Sequence, residues 1–450
     1  MPSLRRNIVY QFLYELLIVF IPLFTIPYVS RVLGAENIGL FSYTYAVANY
    51  FVLFANLGIK NYGSRTIAMV RNNKEELNRN FSEILSIHII FSIIVIFVYL
   101  VLLFFFVEDN LVIFLIQSIY VFAAVFDINW FFFGIEKFKL TVGRNTLVKI
   151  LSVFLVLVFV KTQTDLWIYA LILALSVFVG QSVVWFALKQ YVSWRRPSWA
   201  NMKQHIRPLF VLFLPILALS LYKYMDKIML GSISSNVQVG FYENAEKIIN
   251  VPMSLIMAFG VVLMPRIANM VTSKDKGEVF KLIDMSMEAV MLLAIAISFG
   301  LAGISFVLAP IFFGYEFEEC GILIMGLAVT VPFMAFANVI RTQYLIPYKE
   351  DKIFVVSLFL GAAVNLIVNI ILIPYMAARG AVIGTIFAEI IVCIYQSYFV
   401  RKKIFIKKYL LNTIPPILIG IVMFVFVFQI GNVMNINIVT LILQLLVGMF

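Results

Sequence analysis

Long apolar runs separated by short polar stretches recur along the whole chain. A helix crosses a bilayer core with about 20 mostly apolar residues, because every backbone N–H and C=O must be satisfied within the segment. On this basis the pattern predicts helices over 9–31, 38–60, 81–107, 111–133, 140–160, 166–190 and 207–231. It continues with 237–264, 285–312, 320–346, 353–375, 380–400, 410–430 and a fourteenth from 437 onward. The fourteenth ends short at Phe450 and is expected to be an incomplete span. The first is not expected to be a cleaved leader, since it lacks a small-residue cleavage site and runs on to Arg31 and Gly34.

Composition agrees with this pattern. Of 450 residues, 63% are hydrophobic and 13% charged, with a mean hydropathy of +1.02. Soluble domains are about 45–50% apolar and about 25% charged, so a soluble enzyme, a secreted domain and a disordered scaffold are excluded. Cys320 and Cys393 lie far apart in apolar stretches, which excludes a disulfide framework and a CxxC site. Two histidines, His88 and His205, are too few for a histidine-based metal centre.

The charges set an orientation. With the N-terminus in the cytoplasm, 28 of the 34 Lys and Arg fall on the cytoplasmic side. Only Arg31, Lys161 and Arg379 fall outside, and Lys223, Lys227 and Lys247 lie within spans. This is the positive-inside distribution, so the net charge of +11 needs no nucleic-acid partner. No loop is long enough to be a hydrophilic domain, and no DxD, HxxxxD or Gly-rich phosphate loop is present. A transporter or channel is expected rather than an enzyme such as a polysaccharide polymerase.

An internal repeat sharpens the architecture. A shift of 201 residues lays Gly39 on Gly240, Asn49 on Asn250, Arg65 on Arg266, Met69 on Met270 and Val70 on Val271. An even number of spans separates the copies, so they run in parallel about an axis along the membrane normal. The expected fold is all-α and polytopic. It has a six-helix lobe over 1–190, a cytoplasmic linker over 191–206, a second six-helix lobe over 207–400, and two further helices over 401–450.

Charge and strong polarity inside a bilayer are expensive and mark function. The second span carries Tyr45, Asn49, Asn56 and Lys60 on one face; the eighth carries Glu243, Glu246 and Asn250 on one face. Lys223, Asp226 and Lys227 crowd the seventh, with Tyr222 beside them, and Glu15 and Glu389 sit in the first and twelfth. Glu243 and Lys247 are spaced for an i,i+4 ion pair. Asn49 and Asn250 could serve as interhelical hydrogen-bond donors. His88 is expected as a packed core residue, and Trp130 with Phe131, Phe132 and Phe133 as an interfacial aromatic belt.

Several of these stretches together resemble a known family. Asp127-Ile-Asn-Trp130-Phe-Phe-Phe-Gly134-Ile-Glu136-Lys-Phe138 is similar to a D-x-x-W-x-F-x-G-x-E-x-F run of bacterial polysaccharide repeat-unit flippases. So are Pro27-Tyr28-Val-Ser-Arg31-Val-Leu-Gly34, Asp226-Lys227-Ile-Met-Leu-Gly231, Val239-Gly240-Phe-Tyr242-Glu-Asn-Ala-Glu246-Lys247 and Met264-Pro265-Arg266. Asn365 and Asn369 ahead of Pro374, followed by Gly380-Ala-Val-Ile-Gly384, extend the likeness. The chain thus resembles O-antigen or capsule (Wzx-type) flippases of the multidrug/oligosaccharidyl-lipid/polysaccharide exporter superfamily, with a MATE-like arrangement.

The resemblance implies an undecaprenyl-diphosphate-linked oligosaccharide turned from the cytoplasmic to the outer leaflet of the bacterial inner membrane. It also implies membrane lipids as surroundings, with a polysaccharide polymerase and a chain-length regulator as partners. A multidrug or peptidoglycan-precursor exporter of the same superfamily is the alternative. Unpaired phosphate charge in a low-dielectric region costs many kcal/mol. Arg31, Lys60, Arg65, Lys223, Lys227 and Arg266 are therefore the expected diphosphate-binding groups. Tyr45, Asn49, Asn56, Tyr222 and Asn250 are expected to line a wet space for the sugars. No ATP-binding motif and no cofactor site is apparent, so coupling to a proton or sodium gradient is expected, with Glu15, Asp226, Glu246 and Glu389 as carriers.

Overall fold

The computed structural model describes the backbone of residues 2–272 and 276–449, and their side chains except those of 2–20, 22, 138, 139, 222, 272 and 276. The side chains of Glu15 and Tyr222 therefore lie outside the described residues. Every described element is helical.

Twelve helices among the described residues are long and apolar enough to cross a bilayer. The first expected span and the second follow each other with no loop between them in the 55-residue helical stretch Pro2–Asn56, which consists of two helices meeting at a kink. Straight, it would be roughly 80 Å long, against a hydrocarbon core of about 30 Å. It is divided at Gly34, whose φ of 77° and ψ of 171° leave helical geometry. Glycine suits this position because a positive φ is costly for any residue with a Cβ. The expected fourteenth span is the 12-residue helix Ile438–Met449. Its Gln444 donates to the Val427 carbonyl at 2.8 Å, tying it to the preceding helix Ile414–Val433.

The chain divides into two compact units: Met1–Leu33 with Phe41–Ser220, and Gly34–Leu40 with Leu221–Phe450.

In the first unit, the helix Lys74–Phe106 starts at Asn73, whose side chain accepts from the backbone N–H groups of Glu75 and Glu76 at 3.1 and 3.3 Å. The cap satisfies two otherwise orphaned donors, and both glutamates offset the positive end of the helix dipole. Further along the same helix, Phe81 stacks on Trp130 with ring centroids 5.6 Å apart and meets Phe131 edge-on at 4.9 Å. Trp130, Phe131 and Phe132 are each at most 2% exposed. The aromatic belt expected here is thus a packed core: the short helix Asn129–Gly134 turns its rings inward instead of presenting them to headgroups. His88 is fully buried, as expected. The non-helical stretch before Trp199 is held to Lys74–Phe106. Ser193 N–H donates to Asn78 Oδ1 at 3.0 Å, Arg195 N–H to Ser82 Oγ at 2.9 Å, and the Arg195 guanidinium pairs with Glu75 at 2.8 Å.

In the second unit, the helices Asp351–Met376 and Ala378–Val400 form a tight hairpin that reverses at Ala377 (φ 49°, ψ −126°). Segment 35–39 lies against segment 236–240 in reciprocal fashion. A Cβ on Gly39 would overlap the Asn236 carbonyl, and a Cβ on Gly240 would overlap the Ala35 carbonyl. Those pairs are equivalents under the 201-residue shift. Contacts of i to j and j to i are what a local two-fold axis produces.

Candidate functional site

Helix Trp199–Ile233 carries Asp226 and Lys227 side by side. Neighbours on a helix point about 100° apart, so the two groups reach different partners.

The Asp226 carboxylate is 4% exposed. Its Oδ2 accepts from the Tyr242 hydroxyl at 2.6 Å and from Thr385 Oγ1 at 3.0 Å, and its Oδ1 accepts from Asn369 Nδ2 at 2.5 Å. Asn369 Nδ2 also reaches Asn365 Oδ1 at 3.2 Å, and the Tyr242 and Thr385 hydroxyls lie 2.9 Å apart. Asn369 Oδ1 is buried and accepts no hydrogen bond among the described residues. A Cβ at Gly384 would overlap that oxygen, so glycine there leaves room for the amide. The cluster gathers one carboxylate, two amide carbonyls and two hydroxyls from four separate helices. Donors that are all oxygen suit a proton or a hard cation, not a soft metal. Among the described residues, no group of three or more His, Cys, Asp or Glu could hold a metal.

Lys227, 7% exposed, turns to the helix Asn236–Thr272. Its Nζ lies 2.5 Å from Glu243 Oε2 and 2.9 Å from Glu246 Oε2, while Lys247 Nζ lies 3.1 Å from Glu243 Oε1. The i,i+4 pair expected from the sequence is present, joined by a second lysine. Two ammonium and two carboxylate groups balance, which is what allows charge to stay in a buried position.

The structure brings Asp226, Lys227 and Glu246 into this one region. Glu389 is buried on Ala378–Val400, one turn beyond Thr385. Lys223, Asn250 and Arg266 are exposed, Lys223 with its ammonium 5.5 Å from the Tyr224 ring centre. In the first unit Arg31, Lys60 and Arg65 are exposed, and Tyr45, Asn49 and Asn56 are half-buried. The Asn49 and Asn56 amides donate back to the Tyr45 and Val52 carbonyls at 2.9 and 3.0 Å. Tyr45 meets Tyr120 edge-on at 5.1 Å.

Sequence reasoning did not assign Tyr242, Asn365, Asn369 and Thr385 to Asp226. The available signal was the spacing of Asn365 and Asn369, one turn apart in an otherwise apolar helix. It also missed a hydrogen-bonded chain in the first unit, in which the half-buried Tyr62 hydroxyl lies 2.6 Å from His205 Nδ1 and His205 Nε2 lies 2.9 Å from the buried Glu83 Oε2.

A family model described as polysaccharide biosynthesis protein matches residues 4–271, more than half of the chain. The chain belongs to this family. A relative described as an O-antigen transporter, from Shigella dysenteriae, is 24% identical over 408 residues, covering 87% of this chain and 99% of the relative. Among solved structures, a lipid II flippase MurJ in an inward closed conformation superposes with a TM-score of 0.75. It is 16% identical and covers 98% of this chain and 96% of its own. An inward-facing multidrug resistance MATE family transporter of the MOP superfamily gives a TM-score of 0.66 at 14% identity, covering 87% of this chain and 97% of its own. At these identities the likeness establishes the fold, and the MATE-like arrangement expected from the sequence is the one observed. With twelve candidate spans and a transporter relative, this is a multi-pass membrane protein.

Proposed function

We propose that the chain flips undecaprenyl-diphosphate-linked oligosaccharide repeat units from the cytoplasmic to the outer leaflet by alternating access, for surface polysaccharide synthesis. The observation that carries this reading is the match to an O-antigen transporter along 99% of that relative's length. Elementary electrostatics supports it as well. A diphosphate carries about two negative charges, and hydrocarbon offers no compensation for them. Arg31, Lys60 and Arg65 in the first unit, with Lys223 and Arg266 in the second, are the basic groups assigned to the headgroup. Arg65 and Arg266 form no ion pair among the described residues, so both guanidiniums are available for phosphate. Lys227 is assigned a different part, since its charge is taken up by Glu243 and Glu246.

Asp226 is the carboxylate best suited to couple transport to an ion. It is buried, and uncommitted oxygen lies beside it at Asn369 Oδ1. In this reading the N-terminus is cytoplasmic, the membrane is the bacterial inner membrane, and a polymerase with a chain-length regulator uses the product outside.

The test is complementation of a bacterial strain lacking its own repeat-unit flippase. Wild-type chain should restore surface polymer, and Arg65→Ala or Arg266→Ala should abolish it at normal protein levels. Polymer restored equally by both variants would overturn the assignment of these arginines. Proteoliposomes with imposed pH or sodium gradients identify the coupling ion, and indifference to both would remove Asp226 from that role.

A further inference from the structure

Three arginines reach one cavity of the first unit from three different helices: Arg65 from Ile59–Val70, Arg79 from Lys74–Phe106 and Arg207 from Trp199–Ile233. The cavity measures about 730 Å³, well inside the usual range for a small-molecule site. Its lining includes a single carboxylate, Glu76. Other arginines nearby are committed, Arg71 to Glu136 at 2.5 Å and Arg195 to Glu75 at 2.8 Å. Arg65, Arg79 and Arg207 form no ion pair among the described residues.

The same three helices are pinned together by the hydrogen-bonded chain of Tyr62, His205 and Glu83, of which Tyr62 and His205 line the cavity. Glu83 is 1% exposed and His205 3%. Tyr62 lies one turn before Arg65, Glu83 one turn after Arg79, and His205 two residues before Arg207. Each arginine is therefore rooted near a hydrogen-bonded anchor, half-buried at Tyr62 and buried at Glu83 and His205. Anchoring of this kind lowers the ordering cost when a ligand arrives. The lining also holds the polar Thr66, Asn80 and Gln204, and an apolar part made of Met69, Val70, Val211 and Leu212. Met69 and Val211 are largely exposed, at 69% and 58%.

We propose that this cavity binds the phosphoryl headgroup of a membrane lipid, with the arginines on the phosphate oxygens and the lipid chain along the Met69–Val211 side. Guanidinium forks match phosphate oxygens in bidentate geometry. The apolar wall is what separates a lipid from a free anion, because a free phosphate has nothing to lay against it. Two lipids carry this chemistry, an isoprenoid diphosphate and an anionic glycerophospholipid. Only the first rests on the transport reading above.

The experiment measures binding to the purified full-length chain in detergent by calorimetry. The probes are farnesyl diphosphate, dihexanoyl phosphatidylglycerol and inorganic pyrophosphate. At least one of the two lipids should bind, and pyrophosphate should bind more weakly than it. Arg79→Ala and Arg207→Ala should each weaken lipid binding about tenfold, and added salt should weaken it further. Arg71→Ala and Arg195→Ala should bind as wild type, and melting temperatures of Arg79→Ala and Arg207→Ala should match it, separating lost contacts from lost fold. Preference for farnesyl diphosphate assigns the site to the isoprenoid headgroup, and preference for phosphatidylglycerol assigns it to a bilayer lipid. Both results uphold the site. Binding untouched by Arg79→Ala and Arg207→Ala, or pyrophosphate bound as tightly as either lipid, would overturn it. Because no turnover is involved, a chain that binds in this pattern yet fails complementation overturns the transport reading alone.

Discussion

Replacing Asp226 by asparagine or by alanine separates what its charge does from what its shape does. Three donors converge on the carboxylate: the Tyr242 hydroxyl, Thr385 Oγ1 and Asn369 Nδ2. An asparagine can keep its carbonyl toward Asn369 and place its NH2 toward the two hydroxyls, which can rotate to accept. All the hydrogen bonds survive, so Asp226→Asn should cost under about 1 kcal/mol. Alanine removes both oxygens. Hydrogen bonds to a charged group are worth about 1.5–3 kcal/mol each, but some donors have second partners. Thr385 already reaches the Ala381 carbonyl at 3.0 Å, and Asn369 reaches Asn365 Oδ1 at 3.2 Å. With that relief, Asp226→Ala should lose roughly 2–4 kcal/mol. Thermal melting of detergent-purified protein should therefore rank wild type and Asp226→Asn together, with Asp226→Ala well below. In proteoliposomes, Asp226→Asn should fold yet lose the response of transport to an imposed pH or sodium gradient, because an amide neither takes a proton nor balances a cation. Equal melting of the two variants would refute the hydrogen-bond accounting. A full gradient response in Asp226→Asn would refute the role of the charge.

Lys227→Met should destabilise the second unit by about 3–5 kcal/mol, since Glu243 would keep only Lys247 and Glu246 would have no ion-pair partner left among the described residues; adding Glu246→Gln should recover part of the loss in melting temperature. Gly384→Ala should push the Asn369 amide out of place, costing about 1–3 kcal/mol and reducing gradient-driven transport as Asp226→Asn does. His205→Leu should lower the melting temperature by removing the donor to buried Glu83, a cost of at least about 1–3 kcal/mol. The double variant His205→Leu with Glu83→Gln should melt higher than His205→Leu alone, since a neutral amide is less costly to bury unpaired than a carboxylate.

The helical spans and the repeat were legible because lipid imposes local rules. A segment in hydrocarbon must satisfy its own backbone and stay apolar for its full length, and both demands are written in consecutive residues. Even the break at Gly34 lies between two predicted spans. The contact of Gly39 with segment 236–240 was present in the sequence as a repeat equivalence, but its reciprocal geometry was not. The intramembrane carboxylate Asp226 stood out by its cost alone. Its partners did not, since Tyr242 is 16 residues away and Thr385 159.

The misplaced rings of Trp130, Phe131 and Phe132 have one cause. In water, an apolar stripe identifies the buried face of a helix. In a bilayer the surroundings of the protein are as apolar as its core, so the same residues suit either side and periodicity loses its meaning. The chain's own residues determined which segments cross, in what order, and where charge is too costly to lie unattended. Only the tertiary structure decided which faces meet, that Lys227 spends its charge on Glu243 and Glu246, and that Arg65, Arg79 and Arg207 line one cavity. Those outcomes depend on how separate helices pack against one another, which composition does not encode.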